Sequence, residues 1–208
     1  IRALPKLEGT VHVNIALIVK FVMNYFVDPQ DYPEVPQRDD AANDDFLFNQ
    51  GPARGLSAIR FHDYQQVFDR FDLPNVNIFK QQIATFKTCM MEATPGPDQG
   101  KDTDFLLAVG ELFVQIVYAQ LILENASIYE ISDDVVDQIF DVMVRDFSRY
   151  AVQLHSKQTT TDAQGAFCLQ MIHKPANDPD RYQRVWTEDV YALKGQYEMA
   201  GGRPGNRE

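Results

Sequence analysis

The chain has 208 residues, 45% of them hydrophobic and 12% aromatic, enough to bury a core and inside the globular range. Its formal net charge of −11 repels phosphate backbones and anionic headgroups at long range, which argues against nucleic acid and membrane surfaces as partners. Two cysteines, Cys89 and Cys168, stand far apart without C-x-x-C spacing, so a zinc knuckle, a redox pair or a disulfide framework is not expected and a reducing cytoplasm is the simplest setting.

The opening Ile1-Arg2-Ala3 has neither Met nor a signal pattern and reads as the inside of a longer protein. Residues 11–26 follow Thr10, a good N-cap, with no Pro or Gly, and predict one helix. Only His12, Asn14, Lys20 and Asn24 interrupt its apolar surface, so it needs cover on most sides. Its Val and Ile content leaves a buried strand as the competing reading. The run 15–23 is shorter than the ~20 residues that span a bilayer, and no transmembrane helix is expected.

From 27 to 57, Pro29, Pro33, Pro36, Gly51, Pro52 and Gly55 alternate with Asp39, Asp40, Asp44 and Asp45, the composition of a connector. Phe46, Leu47 and Phe48 within it are expected to anchor on a neighbouring surface. Helices are then predicted over 63–71, 76–93, 104–130 and 132–157. The third is long and mostly apolar, with Glu111, Gln115, Gln120 and Glu124 as polar points, and suits a buried central position. In the fourth, Val136, Ile139, Phe140, Met143, Phe147, Tyr150 and Leu154 recur at helical spacing behind the Ser132 cap and Asp133-Asp134. Shorter helices are expected over 162–172 and 187–197. The fold class is all-α, an antiparallel helical bundle: residues 1–26, a linker over 27–61, the bundle over 62–200, and a tail over 201–208 expected to be disordered.

Cys89 and Cys168 read as small core residues. His62, His155 and His173 have no carboxylate or Cys at ligand spacing and read as structural, with no metal site expected. Gln170, Met171, Tyr182, Trp186 and Tyr191 read as packing residues. Neither a Gly-rich phosphate loop nor a G-x-S-x-G elbow occurs.

Leu7-Glu8-Gly9-Thr10-Val11-His12, placed just before the apolar helix, resembles the Glu-Gly-Thr signature that opens the last catalytic-domain helix of acyl-CoA dehydrogenases. The runs LPKLEGTVHVNIALIVKF, FLFNQGPARGL and DFLLAVGELFVQIVYAQLILENA together resemble long bacterial members of that superfamily with an extra C-terminal bundle, so the resemblance covers most of the chain. It implies the C-terminal part of an acyl-CoA dehydrogenase-like fold: residues 1–26 as catalytic loop and last helix of the helical domain, 62–200 as the additional bundle.

The resemblance further implies an FAD enzyme of fatty acid metabolism that removes a proton from Cα of an acyl-CoA thioester while hydride leaves Cβ for the flavin. Glu8 is then the catalytic base, raised in pKa by dry surroundings. Gly9 lies beside the substrate, and Thr10, Val11 and His12 meet the FAD through the helix N-terminus. His12 and Leu7 depart from the family pattern, which expects a polar amide or small residue and an aromatic one. Implied partners are the acyl-CoA, the remaining N-terminal part of the same enzyme and further copies in a homo-oligomer. Without the wider match, Glu8 is a favourable charge beside the helix dipole and His12 a surface side chain. The alternative functions are a non-catalytic helical assembly or dimerisation module and an oxidase-like relative.

Overall fold

Thr10 opens the first helix as its residue type predicts. Its backbone is extended and its Oγ1 accepts from the Val13 N–H at 3.4 Å. The computed structural model describes residues 10–31 and 59–196, and within them the chain is all-α, apart from two two-residue strands. Helix α1, Val11–Ile18, passes through a 3-10 turn, Val19–Phe21, into α2, Val22–Val27. The strand alternative for this region falls, and the predicted single helix is nearly continuous.

Strand β1, Pro29–Gln30, pairs in parallel with β2, Phe61–His62, a contact across the predicted linker that its composition does not announce. Phe46, Leu47 and Phe48 lie outside the described residues, as does the predicted tail over 201–208. Then come α3, Gln65–Phe68; α4, Pro74–Glu92; α5, Thr103–Tyr129; α6, Asp133–His155; and α7, Asp162–Gln170. Of these, α3 is shorter than its predicted 63–71, while α4 to α7 match their predictions within about two residues at each end.

The last predicted helix, 187–197, is corrected. Helix α8 occupies Pro179–Arg184, followed by a π-wound stretch, Val185–Val190, and a 3-10 turn, Tyr191–Leu193. The start is set by Asp178, whose carboxylate accepts from the Asp180 and Arg181 N–H groups at 3.1 Å each. Pro179 follows in the first turn, where its missing N–H is harmless.

Side-chain pairings fix the helix directions. Asn75 of α4 meets Asp137 of α6, and Gln82 meets Val144 and Ser148, so these two run parallel. Asp104 of α5 meets Lys157 just beyond α6, and Asp102 meets Thr159, which puts α5 antiparallel to α6. Gln82 also meets Met171, while Gln164 meets Ala93, so α7 runs against α4. Four consecutive helices thus alternate in direction, the arrangement short connections favour. The limb α1–α2 lies along α5 in the same direction, with Ile15 against Gly110 and Tyr25 against Gln120.

The core is aromatic. Phe79, Phe140 and Phe147 meet edge to face at 5.4 Å between centroids, and a second cluster joins Tyr25, Phe26, Tyr64 and Phe113. Cys89, Cys168 and Met171 are fully buried within it, as expected for packing residues.

One helix among the described residues, Thr103–Tyr129, is long and apolar enough to cross a bilayer. It is longer than the run 15–23, from which no bilayer-spanning helix is expected. Half of its most apolar window is buried in the bundle, and Phe105, Leu112, Phe113, Ile116 and Leu123 are fully covered, the predicted position of a central helix.

Candidate functional site at the start of the first helix

The residues singled out in the sequence form one continuous stretch. Glu8 and Gly9 lie outside the described residues, as does Leu7; Thr10, Val11 and His12 form the cap and first turn of α1. The Thr10 carbonyl accepts from the Asn14 N–H at 3.1 Å and its hydroxyl from Val13. The N–H groups of Val11 and His12, the two that precede these, have no partner within the helix, as geometry requires of a first turn. No acidic side chain stands in that turn itself.

The surroundings of this turn differ from the expected cover on most sides. Val11 is 59% and Val13 61% exposed, and Leu17 and Met23 are also open. The limb buries only Ile15, Val22, Tyr25 and Phe26. The cause is geometric: α5 along its length, with the aromatic cluster and Phe86 of α4 beneath α2, covers one side of a helix that is apolar nearly all round.

Among the described residues, polar side chains that periodicity could not single out form several buried constellations, two of which contain a carboxylate. Tyr25, 1% exposed, donates its phenol to Gln120 Oε1 at 2.6 Å, and Gln120 Nε2 donates to Glu124 Oε1 at 2.7 Å. Burial raises the Tyr25 phenol pKa well above its ordinary value, helped by Tyr64 and the Glu124 carboxylate. Burial likewise pushes Tyr64 up to about 12. Both phenols therefore stay protonated at neutral pH, and the chain from Tyr25 to Glu124 is a tether between α2 and α5.

The second constellation joins α4, α6 and α8. The Asn75 N–H donates to Asp137 Oδ1 at 2.7 Å, its Nδ2 donates to Oδ2 at 3.0 Å, and its Oδ1 accepts from the Ala176 N–H at 2.7 Å. Arg181, 3% exposed, closes on Asp137 and reaches Asp141 Oδ2 at 3.2 Å. Leu73, the residue before α4, offers no capping side chain; Asp137 supplies the missing acceptor from another helix. The only advance signal was the polar pair of Asn75 and Asp137 at core positions of otherwise apolar faces.

The histidines lie apart. His62 Nδ1 approaches the Asp31 carbonyl at 3.1 Å, His173 Nε2 the Gln170 carbonyl at 3.1 Å, and His155 packs against Gly165. Among the described residues no three His, Cys, Asp or Glu side chains gather as a metal site would need. Tyr182, Trp186 and Tyr191, read as packing residues, are instead exposed, while charged side chains make the contacts to α6 and its cap, Arg184 to Asp134 and Asp189 to Ser132.

Compared with protein-family models, with curated proteins and with solved structures, the chain matches none.

Proposed function

We propose that this chain is the C-terminal part of a cytoplasmic flavoprotein that dehydrogenates acyl-CoA thioesters between Cα and Cβ, with Glu8 as the base that takes the Cα proton. The observation that carries the reading is the start of α1. Thr10 caps a helix directly after Glu8-Gly9, its first N–H groups and its Val11–Val13 surface are left uncovered by the bundle, and the first turn itself carries no acidic side chain.

That turn fits the FAD expectation in a limited way. Bound there, FAD supplies the hydride acceptor of the reaction. The N–H groups of Val11 and His12 suit its pyrophosphate or ribose, with Thr10 fixing their direction. A first turn cannot enclose a cofactor that needs a deep site, so the rest of the pocket belongs to the remaining N-terminal part of the enzyme, and the open apolar side of α1 suits contact with it. The relationship to the acyl-CoA dehydrogenase fold and the assembly of several copies belong to the same proposal.

The test uses the complete enzyme. Glu8→Gln is expected to abolish substrate-dependent bleaching of the flavin absorbance while the yellow cofactor stays bound, because only the proton acceptor is lost. Undiminished flavin reduction would remove Glu8 from the mechanism. The 208-residue chain by itself is expected to be colourless.

A second reading, a non-catalytic assembly module, is favoured by the exposed apolar side chains Val11, Val13, Leu17 and Met23 along the limb. The two readings part at Glu8: a pure assembly role leaves E8Q without effect on turnover. An oxidase-like relative would share the base and differ in passing electrons to oxygen.

A further inference from the structure

A groove of about 280 Å³ runs between the α1–α2 limb, the C-terminal end of α4 and the start of α5. Val22, Met90 and Val109, all buried, form its inner wall with Leu106, and the half-exposed Met23 stands at its mouth. Among the described residues the lining contains no carboxylate. Its only charge is Lys20, an exposed side chain with no ion-pair partner among the described residues.

Those features select a ligand class. The wall is mostly hydrocarbon and thioether surface, and its one hydroxyl, on Thr94, already donates to the Met90 and Met91 carbonyls, so an apolar body suits the occupant. Lys20 at the rim gives an anionic end a partner that no acid among the described residues pairs with. At about 30 Å³ per unit, the share of a water molecule in the liquid, the space holds roughly nine methylene-sized units. Two methionines, unbranched and adaptable, suit a flexible chain better than a rigid ring.

We propose that this groove binds the alkyl chain of a free carboxylate of about eight to ten carbons, its headgroup paired with Lys20. None of the groove residues belongs to the Glu8–His12 segment, so the site is independent of the dehydrogenase reading. Binding would fasten the limb to α4 and α5 at once, since all three elements contribute to the wall.

The test is a titration of the 208-residue chain, carrying ¹³C-methyl methionine, with hexanoate, octanoate and decanoate and with decanol, each below its micelle concentration. Saturable shifts are expected at the Met23 and Met90 methyls and not at Met143 or Met171. Each added methylene should tighten binding about twofold to fourfold, the upper figure corresponding to full burial. Lys20→Gln should weaken decanoate about twofold to fivefold, as loss of an exposed ion pair does, and leave decanol unchanged. Met23→Asp, at an exposed position that leaves the fold intact by circular dichroism, should abolish decanoate binding. Three results would overturn the proposal: no saturable shift at Met23; equal effects of K20Q on decanoate and decanol; or a ligand-free dimer by sedimentation that M23D dissolves, which would assign the groove to a second copy.

Discussion

Gly110 is the position at which the smallest change has the largest predicted consequence. A Cβ built there falls 2.3 Å from Ile15 Cγ2 and 3.2 Å from the Ile15 carbonyl oxygen, so even alanine pushes the limb away from α5. Gly110→Ala is expected to lower stability by about 1–3 kcal/mol, the range for overpacking a close contact. Ile15→Ala in the same chain should recover part of that loss. A double-mutant cycle followed by urea unfolding measures the coupling, and additive effects would show that the two residues do not meet. The thiols give a second residue-scale expectation. Burial pushes Cys89 up to about 12 and Cys168 up to about 11, so neither is a thiolate at pH 8. A thiol reagent should modify neither in the native chain and both in urea; rapid native labelling would contradict the packing.

Among the elements, α8 depends most on charge. Arg184 Nε and Nη2 donate to Asp134 at 2.6 and 2.8 Å, and Nη2 also reaches Asp178 at 2.9 Å. The hydrogen bonds from Arg184, first among the causes, hold both carboxyls below their usual 3.8. A depressed folded-state pKa means that this stabilisation is complete above about 3.8 and is lost as pH falls through the lower folded value. Trp186, the single tryptophan, lies two residues beyond Arg184 and should report an acid transition below pH 4. Arg184→Gln should remove that step while leaving the main unfolding transition in place. Asp137 is different because its pair is buried: Asp137→Ala strips Arg181 and the Asn75 N–H together and should cost about 3–5 kcal/mol, the range for breaking a buried ion pair.

Elements with a strong internal signal were legible in the sequence. The α6 spacing of Val136, Phe140, Met143, Phe147 and Leu154 is the pattern that is buried, and Ser132 caps that helix by accepting from the Val135 N–H at 3.4 Å. The misplaced helix near the C-terminus had a local signal too, Asp178 before Pro179, but its apolar residues gave no face to follow. What periodicity cannot carry is partnership at a distance. The pairing of β1 with β2 and the reach of Asp137 to Asn75 depend on which elements become neighbours. At the candidate site the cap at Thr10 was readable because an N-cap acts within three residues, whereas the bareness of α1 follows from how few helices surround it.

Across the whole molecule, burial grades from the middle outwards. Helices α4, α5 and α6 share the fully covered aromatic core, while α1 and the stretch after α8 expose Val11, Val13, Trp186, Tyr191 and Leu193. Amide hydrogen exchange should follow that order, slowest at Leu112, Phe113 and Ile116 in α5 and fastest over 185–196, because local opening is easiest where little apolar surface is covered. Uniform protection across both regions would speak for a single cooperative unit.

The short parallel pairing of Pro29 with Phe61 and Gln30 with His62 has a consequence for chain continuity. The two ends of the intervening stretch are held at one place, with Phe61 set against the rings of Phe21 and Tyr25. A break in the backbone between Asp31 and Ile59 should leave two fragments that stay associated, and separately produced halves should reassemble by complementation, with the N-terminal piece seated on α5 by its aromatic grip.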